Sequence, residues 1–385
     1  MRIIIRYWKA GLSMLIISRP ISCNRRTPMF IESIQSKALT LPMVKTFKTA
    51  LRSIDHLEYV LVEVKTGKGM SGIGGAAPSA VITGETTGSI LAAVDHIAQQ
   101  LKGMDAKDPD GVFRKLNGCM VGNGSAKAAV DMALYDLLAK SEEKAVFQFL
   151  NGSPRTLITD MTIGIDTVPV MEKDCKDAVK DGFSVLKIKV GHDPDEDIRR
   201  LISMSEVAGP DVALRIDANQ GWTPKQALRV ADAIAAHKLN VQLMEQPVKS
   251  YDIKGMAFVR SRTSLPVYAD ESLFSPVDAL RILDAGAADG FNIKLMKCGG
   301  IYNALKIAAI AESAGIPCMI GSMMETSVSV AAAAHLACAE PVIRHFDLDA
   351  PLFCKSQPVG GGIQYQGSRV CLSEAPGLGF TTDTI

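Results

Sequence analysis

Hydrophobic and polar positions along the chain change rhythm twice. From Phe30 to Val64, FIESIQSKALTL and LEYVLVEVKT read as β-strands, with TFKTALR between them as a loop. The glycine-rich stretch 67–75 follows and is expected to be a turn or a mobile loop, because repeated glycine weakens any regular element. Apolar residues then recur at helical spacing in SILAAVDHIAQQLKG and in SAKAAVDMALYDLLAKSEEK, the second with Asn123 placed to cap its N-terminus. Strands followed by helices predict an α+β unit over residues 29–150.

After Pro154 short β-rich runs alternate with helical stretches. The runs lie near ITDMTIGID, SVLKIKV, VALRID, VQLME, PVYAD, GFNIKL, PCMIG and IRHFDLD. Eight strands alternating with helices predict a (β/α) barrel over residues 151–350, with 351–385 packing back on the α+β unit as a cap. An open doubly wound sheet would want a glycine fingerprint after its first strand, and the sequence has none.

Polar residues sit where the apolar runs end. Lys187 and Lys189 close the second run as KIK, Asp217 and Asn219 the third as DAN, and Glu245 the fourth in MEQP. Asp270 and Glu271 close the fifth in ADES, Lys294 the sixth in NIK, and Asp347 and Asp349 the eighth as DLD. These intervals match one strand–helix repeat, so a barrel brings all of them to its C-terminal rim. Asp217, Glu245 and Asp270 form a hard oxygen cage, which suits Mg²⁺ better than zinc. Lys189 and Lys294 fall on strands across the barrel, as a proton transfer between the two faces of one α-carbon requires. A neighbouring lysine and a metal ion are expected to lower the pKa of such a base. Lys187, on the same strand face as Lys189, is expected to help neutralise a bound carboxylate. Lys297, beyond the strand end, reads as structural.

Composition narrows the class. The chain has 385 residues, 47% hydrophobic and 22% charged, with a formal net charge of +1. That is enough for a barrel plus a second domain, and it gives no general attraction to nucleic acid or an anionic membrane. The eight cysteines are scattered without metal-ligand spacing, which fits free thiols in a reducing cytoplasm. Residues 1–28 carry Arg2, Arg6 and Lys9, a short apolar run and an Arg25-Arg26 pair. They are expected to be an atypical extension, a mis-assigned start before Met29, with a targeting segment as the alternative.

The set KIK, DAN, MEQP, ADES and NIKLMKCGG, with VITGET at 81–86, resembles the muconate-lactonizing subgroup of the enolase superfamily over about residues 30–380. Within it the likeness is greatest to dipeptide epimerases, above all those acting on L-Ala-D/L-Glu in cell-wall peptide turnover. The resemblance implies Mg²⁺ on Asp217, Glu245 and Asp270, with acid and base roles for Lys189 and Lys294. It further implies that Asp347 and Asp349 hold the substrate ammonium and that Arg52 meets a glutamate side chain. Thr162 and Lys187 then belong to the substrate site, with Asn219 and Glu325 in support. Gly75, where related enzymes often place Glu, and Thr46, where Pro is usual, depart from the pattern in what are expected to be mobile capping loops. The implied partner is a small dipeptide, with homo-oligomerisation left open. Two rival readings remain: elimination or cycloisomerisation, as in o-succinylbenzoate synthase or muconate cycloisomerase, and a metal- or ligand-binding protein without catalysis.

Overall fold

A computed structural model describes residues 27–51, 53–67 and 69–381. Most of the 1–28 extension and Arg52 lie outside the described residues. The N-terminal alternation becomes an antiparallel sheet in the order β1-β2-β3, of β1 (Ile31–Lys48), β2 (Ser53–Thr66) and β3 (Ser71–Ala76). Thr46, Phe47 and Lys48 of the expected loop are strand. Pairing slips between Pro42, which has no N–H to give the ladder, and Phe47, then resumes to the tip of the hairpin. The tip docks on the barrel: Ile165 donates its N–H to the Lys48 carbonyl at 3.0 Å, and Lys48 pairs with Asp166 at 2.6 Å.

The stretch expected to be a mobile loop is largely β3, an edge strand with every residue buried. Its glycines permit backbone-to-backbone packing on a helix. A Cβ on Gly72 would stand 2.1 Å from the Ala133 carbonyl oxygen, and one on Gly74 would stand 2.1 Å from that of Ala129. Gly75 is likewise strand, not loop, and a Cβ there would meet the Tyr59 hydroxyl at 2.1 Å. Substituting Gly72 by Ala should therefore overpack this layer and cost about 2–3 kcal/mol in urea unfolding. An unchanged midpoint would show that the strand and helix can separate freely.

Helices α1 (Thr87–Leu101) and α3 (Gly124–Ser141) cover this sheet, and α2 (Pro109–Gly118) packs against both helices. Asn123 does occupy the N-cap position of α3, but in the left-handed region (φ 56°) and with no side-chain capping bond. Glu85 does the capping instead, its carboxylate accepting from the N–H groups of Ser125 (2.9 Å) and Ala126 (3.2 Å). Glu85 belongs to the VITGET segment, whose Thr86 caps α1.

A short strand β4 (Leu157–Ile158) precedes the barrel. The barrel strands are β5 (Met161–Ile163), β6 (Val185–Lys189), β7 (Ala213–Asp217), β8 (Val241–Glu245), β9 (Val267–Ala269), β10 (Gly290–Lys294), β11 (Cys318–Gly321) and β12 (Ile343–Asp347). They run parallel in sequence order from β5 to β12. Across the remaining gap Asp160 donates its N–H to the Phe346 carbonyl at 3.2 Å. The expected α/β architecture, a near-closed (β/α) barrel with an N-terminal antiparallel-sheet domain, is the observed one. After the barrel, β13 (Ile363–Gln366) pairs with β14 (Arg369–Leu372), and β14 with β4. The chain then reaches α3, where Leu378 donates its N–H to Asp136 at 2.7 Å. Among the described residues no helix is long and apolar enough to cross a membrane.

Candidate active site

Parallel register sets the strand-end residues level with one another. Lys189 pairs with Asp217 across β6–β7, and Asp217 with Glu245 across β7–β8. Asp270 follows β9 directly, and Lys294 ends β10. Each of these side chains is at least nine-tenths buried. Oxygens of Asp217, Glu245 and Asp270 all lie within 4.8 Å of one another.

Two lysines approach this cluster from β6 and β10, four strands apart. Lys189 Nζ lies 2.6 Å from Asp217 Oδ2, and Lys294 Nζ 2.7 Å from Asp270 Oδ2. Burial opposes charge on Asp217 and Asp270, but the flanking lysines outweigh it and hold both carboxyls below the ordinary range. Glu245 goes the other way: burial and the neighbouring Asp217 push it up to about 8. Lys294 titrates above ordinary lysine while no metal ion sits among these carboxylates. Burial works to lower its pKa, yet Asp270 beside it raises the value above that of ordinary lysine. Asp270 and Glu245 outweigh the opposing charge of Lys187 at this ammonium.

Lys187 points into the barrel like Lys189 but one layer deeper, 1% exposed, beneath the cleft rather than in its lining. Its Nζ sits 3.1 Å from Asp217, 2.8 Å from Glu245 and 2.7 Å from Asp347. It therefore ties the three-acid cluster to Asp347 at the end of β12.

Asp347 ends β12, but Asp349 lies beyond the strand at the start of a 3-10 turn, Ala350–Phe353. Strand alternation thus does not align the two, yet their oxygens come within 4.8 Å of each other. Asp349 Oδ2 accepts from the Thr162 N–H at 2.6 Å, and burial together with Asp347 pushes its carboxyl up to about 7.

Both lysines open onto a cleft, together with Thr162, Asn219, Asp347 and Asp349. Its apolar wall comes from the hairpin tip and cap (Phe47, Leu51, Val81, Ile82) and from Met323, Met324 and Phe353. Phe47 stacks edge-on against Phe353 at 5.2 Å, fixing the hairpin over the barrel mouth. Glu325 is buried, with Oε1 accepting from the Met323 N–H at 2.7 Å, so it shapes the turn that carries two of these walls.

One residue that holds the cluster is not evident from strand-end reading. Asn292 donates to Glu245 at 2.8 Å. Its spacing of two from Lys294 on β10 is the signal that places it on the inner face. Asn219 joins Asp217 to Glu271 at 3.1 Å, and Lys297 reaches back to Asp270 Oδ1 at 2.5 Å. The donor set is three buried carboxylates, one forced toward protonation by its neighbours. Such crowding fits a hard divalent cation such as Mg²⁺, which would neutralise it.

Comparison with known proteins agrees with this geometry. Residues 34–151 match the mandelate racemase / muconate lactonizing enzyme N-terminal domain, and residues 170–384 the enolase C-terminal domain-like family. The L-Ala-D/L-Glu epimerase of Clostridium acetobutylicum is 46% identical, over 91% of this chain and 99% of its own length. A substrate-liganded structure of the L-Ala-D/L-Glu epimerase from Bacillus subtilis superposes with a TM-score of 0.90 at 41% identity, covering 91% of this chain and 99% of that one. The dipeptide epimerase of Enterococcus faecalis V583, complexed with Mg and L-Leu-L-Tyr, gives 0.89 at 40% identity over 92% and 100%.

Proposed function

The chain belongs to the mandelate racemase / muconate lactonizing enzyme family of the enolase superfamily, as an isomerase acting on amino acid derivatives, and from that premise we propose that it is a magnesium-dependent dipeptide epimerase. The observation that carries this reading is a single cleft displaying two lysines from strands four apart beside two carboxylates. A dipeptide whose ammonium meets Asp347 and Asp349 would lay its C-terminal α-carbon between Lys189 and Lys294. One lysine takes the α-proton from one face and the other returns a proton to the opposite face, inverting the centre.

Asp217, Glu245 and Asp270 would hold Mg²⁺, which when bound would supply positive charge to offset the charge gathering on the substrate carboxylate. Asn292, Asn219 and Lys297 keep those three acids oriented. Phe47, Ile82 and Met324 exclude water from the lysines. Among dipeptides we favour L-Ala-D/L-Glu, on the strength of the 46% identical Clostridium relative and of Arg52 in FKTALR.

Elimination or cycloisomerisation substrates carry no ammonium, so they would leave Asp347 and Asp349 without a task. The double variant Asp347→Asn/Asp349→Asn is expected to lose roughly 10²–10³-fold in kcat/KM on a free dipeptide, the worth of two charge-assisted hydrogen bonds. The direct test is a dipeptide library incubated in D₂O and read for deuterium by mass spectrometry. Label confined to the C-terminal residue of a subset rich in Ala-Glu supports the reading, and no label in any member overturns it.

A further inference from the structure

Gln246 follows Glu245 at the end of β8 and braces the three strand ends that carry the acid cluster. It is completely buried and does not line the cleft. Its backbone φ of 33° lies in the left-handed region, which a residue with a side chain keeps only where its surroundings impose it. Gln220, after β7, is also left-handed (φ 68°), and its N–H donates to the Gln246 carbonyl at 2.9 Å. Beside it the Ala218 N–H, next to Asp217, donates to the Glu245 carbonyl at 3.2 Å. The turns after β7 and β8 are thus locked to each other.

The side chain secures the neighbour on the other side. Gln246 Oε1 accepts from the Asp270 N–H at 2.9 Å and from the Ser272 N–H at 3.1 Å. Its Nε2 donates to the Val248 carbonyl at 3.0 Å and to Ser272 Oγ at 2.8 Å. Ser272 Oγ donates in turn to the Ser250 carbonyl at 2.9 Å. A primary amide offers two donors and an oxygen with two lone pairs, and here all four are used. Gln246 therefore fixes the backbone of Asp270 against that of Glu245, with the end of β7 tied in through Ala218 and Gln220. It is neutral and bonds to backbone groups and Ser272, so it governs the spacing of the acids and not their charge.

Spacing is what separates divalent ions of different size. Mg²⁺ demands near-ideal octahedral geometry at about 2.0–2.1 Å, whereas Ca²⁺ accepts looser arrangements at about 2.3–2.6 Å. Strand ends held at a fixed separation suit the smaller ion, and strand ends free to spread accept the larger. We propose that Gln246 is the positioning residue that sets the spacing of Asp217, Glu245 and Asp270, and with it a preference for Mg²⁺ over Ca²⁺. The inference rests on the reading of these acids as the metal site.

The test is isothermal titration of Mg²⁺ and, separately, of Ca²⁺ into the full chain and into Gln246→Met and Gln246→Gly. Methionine keeps the length of the side chain and removes its amide. Glycine loses the same bonds but relieves the left-handed backbone, so it serves where the methionine protein fails to fold. Melting curves in EDTA report folding independently. In both variants the Kd for Mg²⁺ should weaken about 10–100-fold, the usual loss when a partner behind the ligands is removed, while that for Ca²⁺ changes less than about threefold. Folded variants that keep the parent's ratio of the two affinities would make Gln246 purely structural and overturn the proposal, as would loss of the melting transition in both. A parent that binds no Mg²⁺ would overturn the metal reading and this inference together. A parent that binds Mg²⁺ with this dependence but exchanges no α-proton would overturn the epimerase reading alone.

Discussion

Replacing either Lys189 or Lys294 with methionine is expected to reduce epimerisation roughly 10³–10⁴-fold, the upper range for loss of a positioned general base. The two variants should differ in what they retain. Inversion needs both faces of the α-carbon, but exchange needs only one, because a single lysine can remove a proton and return deuterium to the same face. In D₂O, therefore, one variant should label only the L,L dipeptide and the other only the L,D dipeptide, while the parent labels both. Two ion pairs, Lys189–Asp217 and Lys294–Asp270, are lost with these substitutions, so the exchange pattern is more diagnostic than the loss of rate. Inversion surviving in either variant, or both isomers labelled by both, would remove the two-lysine mechanism.

The second large effect is expected at Glu245. It is fully buried, takes a hydrogen bond from Asn292 and lies beside Lys187 and Asp217. Glu245→Gln keeps shape and volume but removes the charge that a divalent cation would meet. Loss of even an outer partner of a metal ligand weakens binding about 10–100-fold, so loss of the ligand charge should weaken Mg²⁺ by at least about 100-fold and abolish turnover. Thermal stability in EDTA should hold or rise, since three crowded carboxylates become two. Asn292→Leu should give a milder version of the same phenotype. A Glu245→Gln protein that binds Mg²⁺ normally by calorimetry would exclude the three-acid cluster as the metal site.

The barrel and the rim of its site are legible in the sequence for a definite reason. In a parallel barrel each strand ends at the same rim, so a polar residue closing an apolar run is placed without knowledge of its partners. That logic locates Lys189, Asp217, Glu245, Asp270, Lys294 and Asp347. It fails where position depends on a distant partner. Glu85 caps α3 from 40 residues away, and the glycines of β3 make a strand only because α3 lies against them. Asp349 sits beyond its strand, so alternation could not align it. Depth is equally hidden. Lys187 and Lys189 share a face, and only the barrel interior shows that one underlies the other.

The claim that stands at the centre, proton exchange at the α-carbon of a dipeptide's C-terminal residue, is tested most directly by ¹H NMR of L-Ala-D-Glu in D₂O with the protein and Mg²⁺. The glutamate α-proton signal should vanish and the signals of L-Ala-L-Glu should grow to equilibrium, with the alanine α-proton intact, and neither change should occur when EDTA replaces Mg²⁺. A glutamate α-proton that persists undiminished with active, metal-loaded protein would contradict the account.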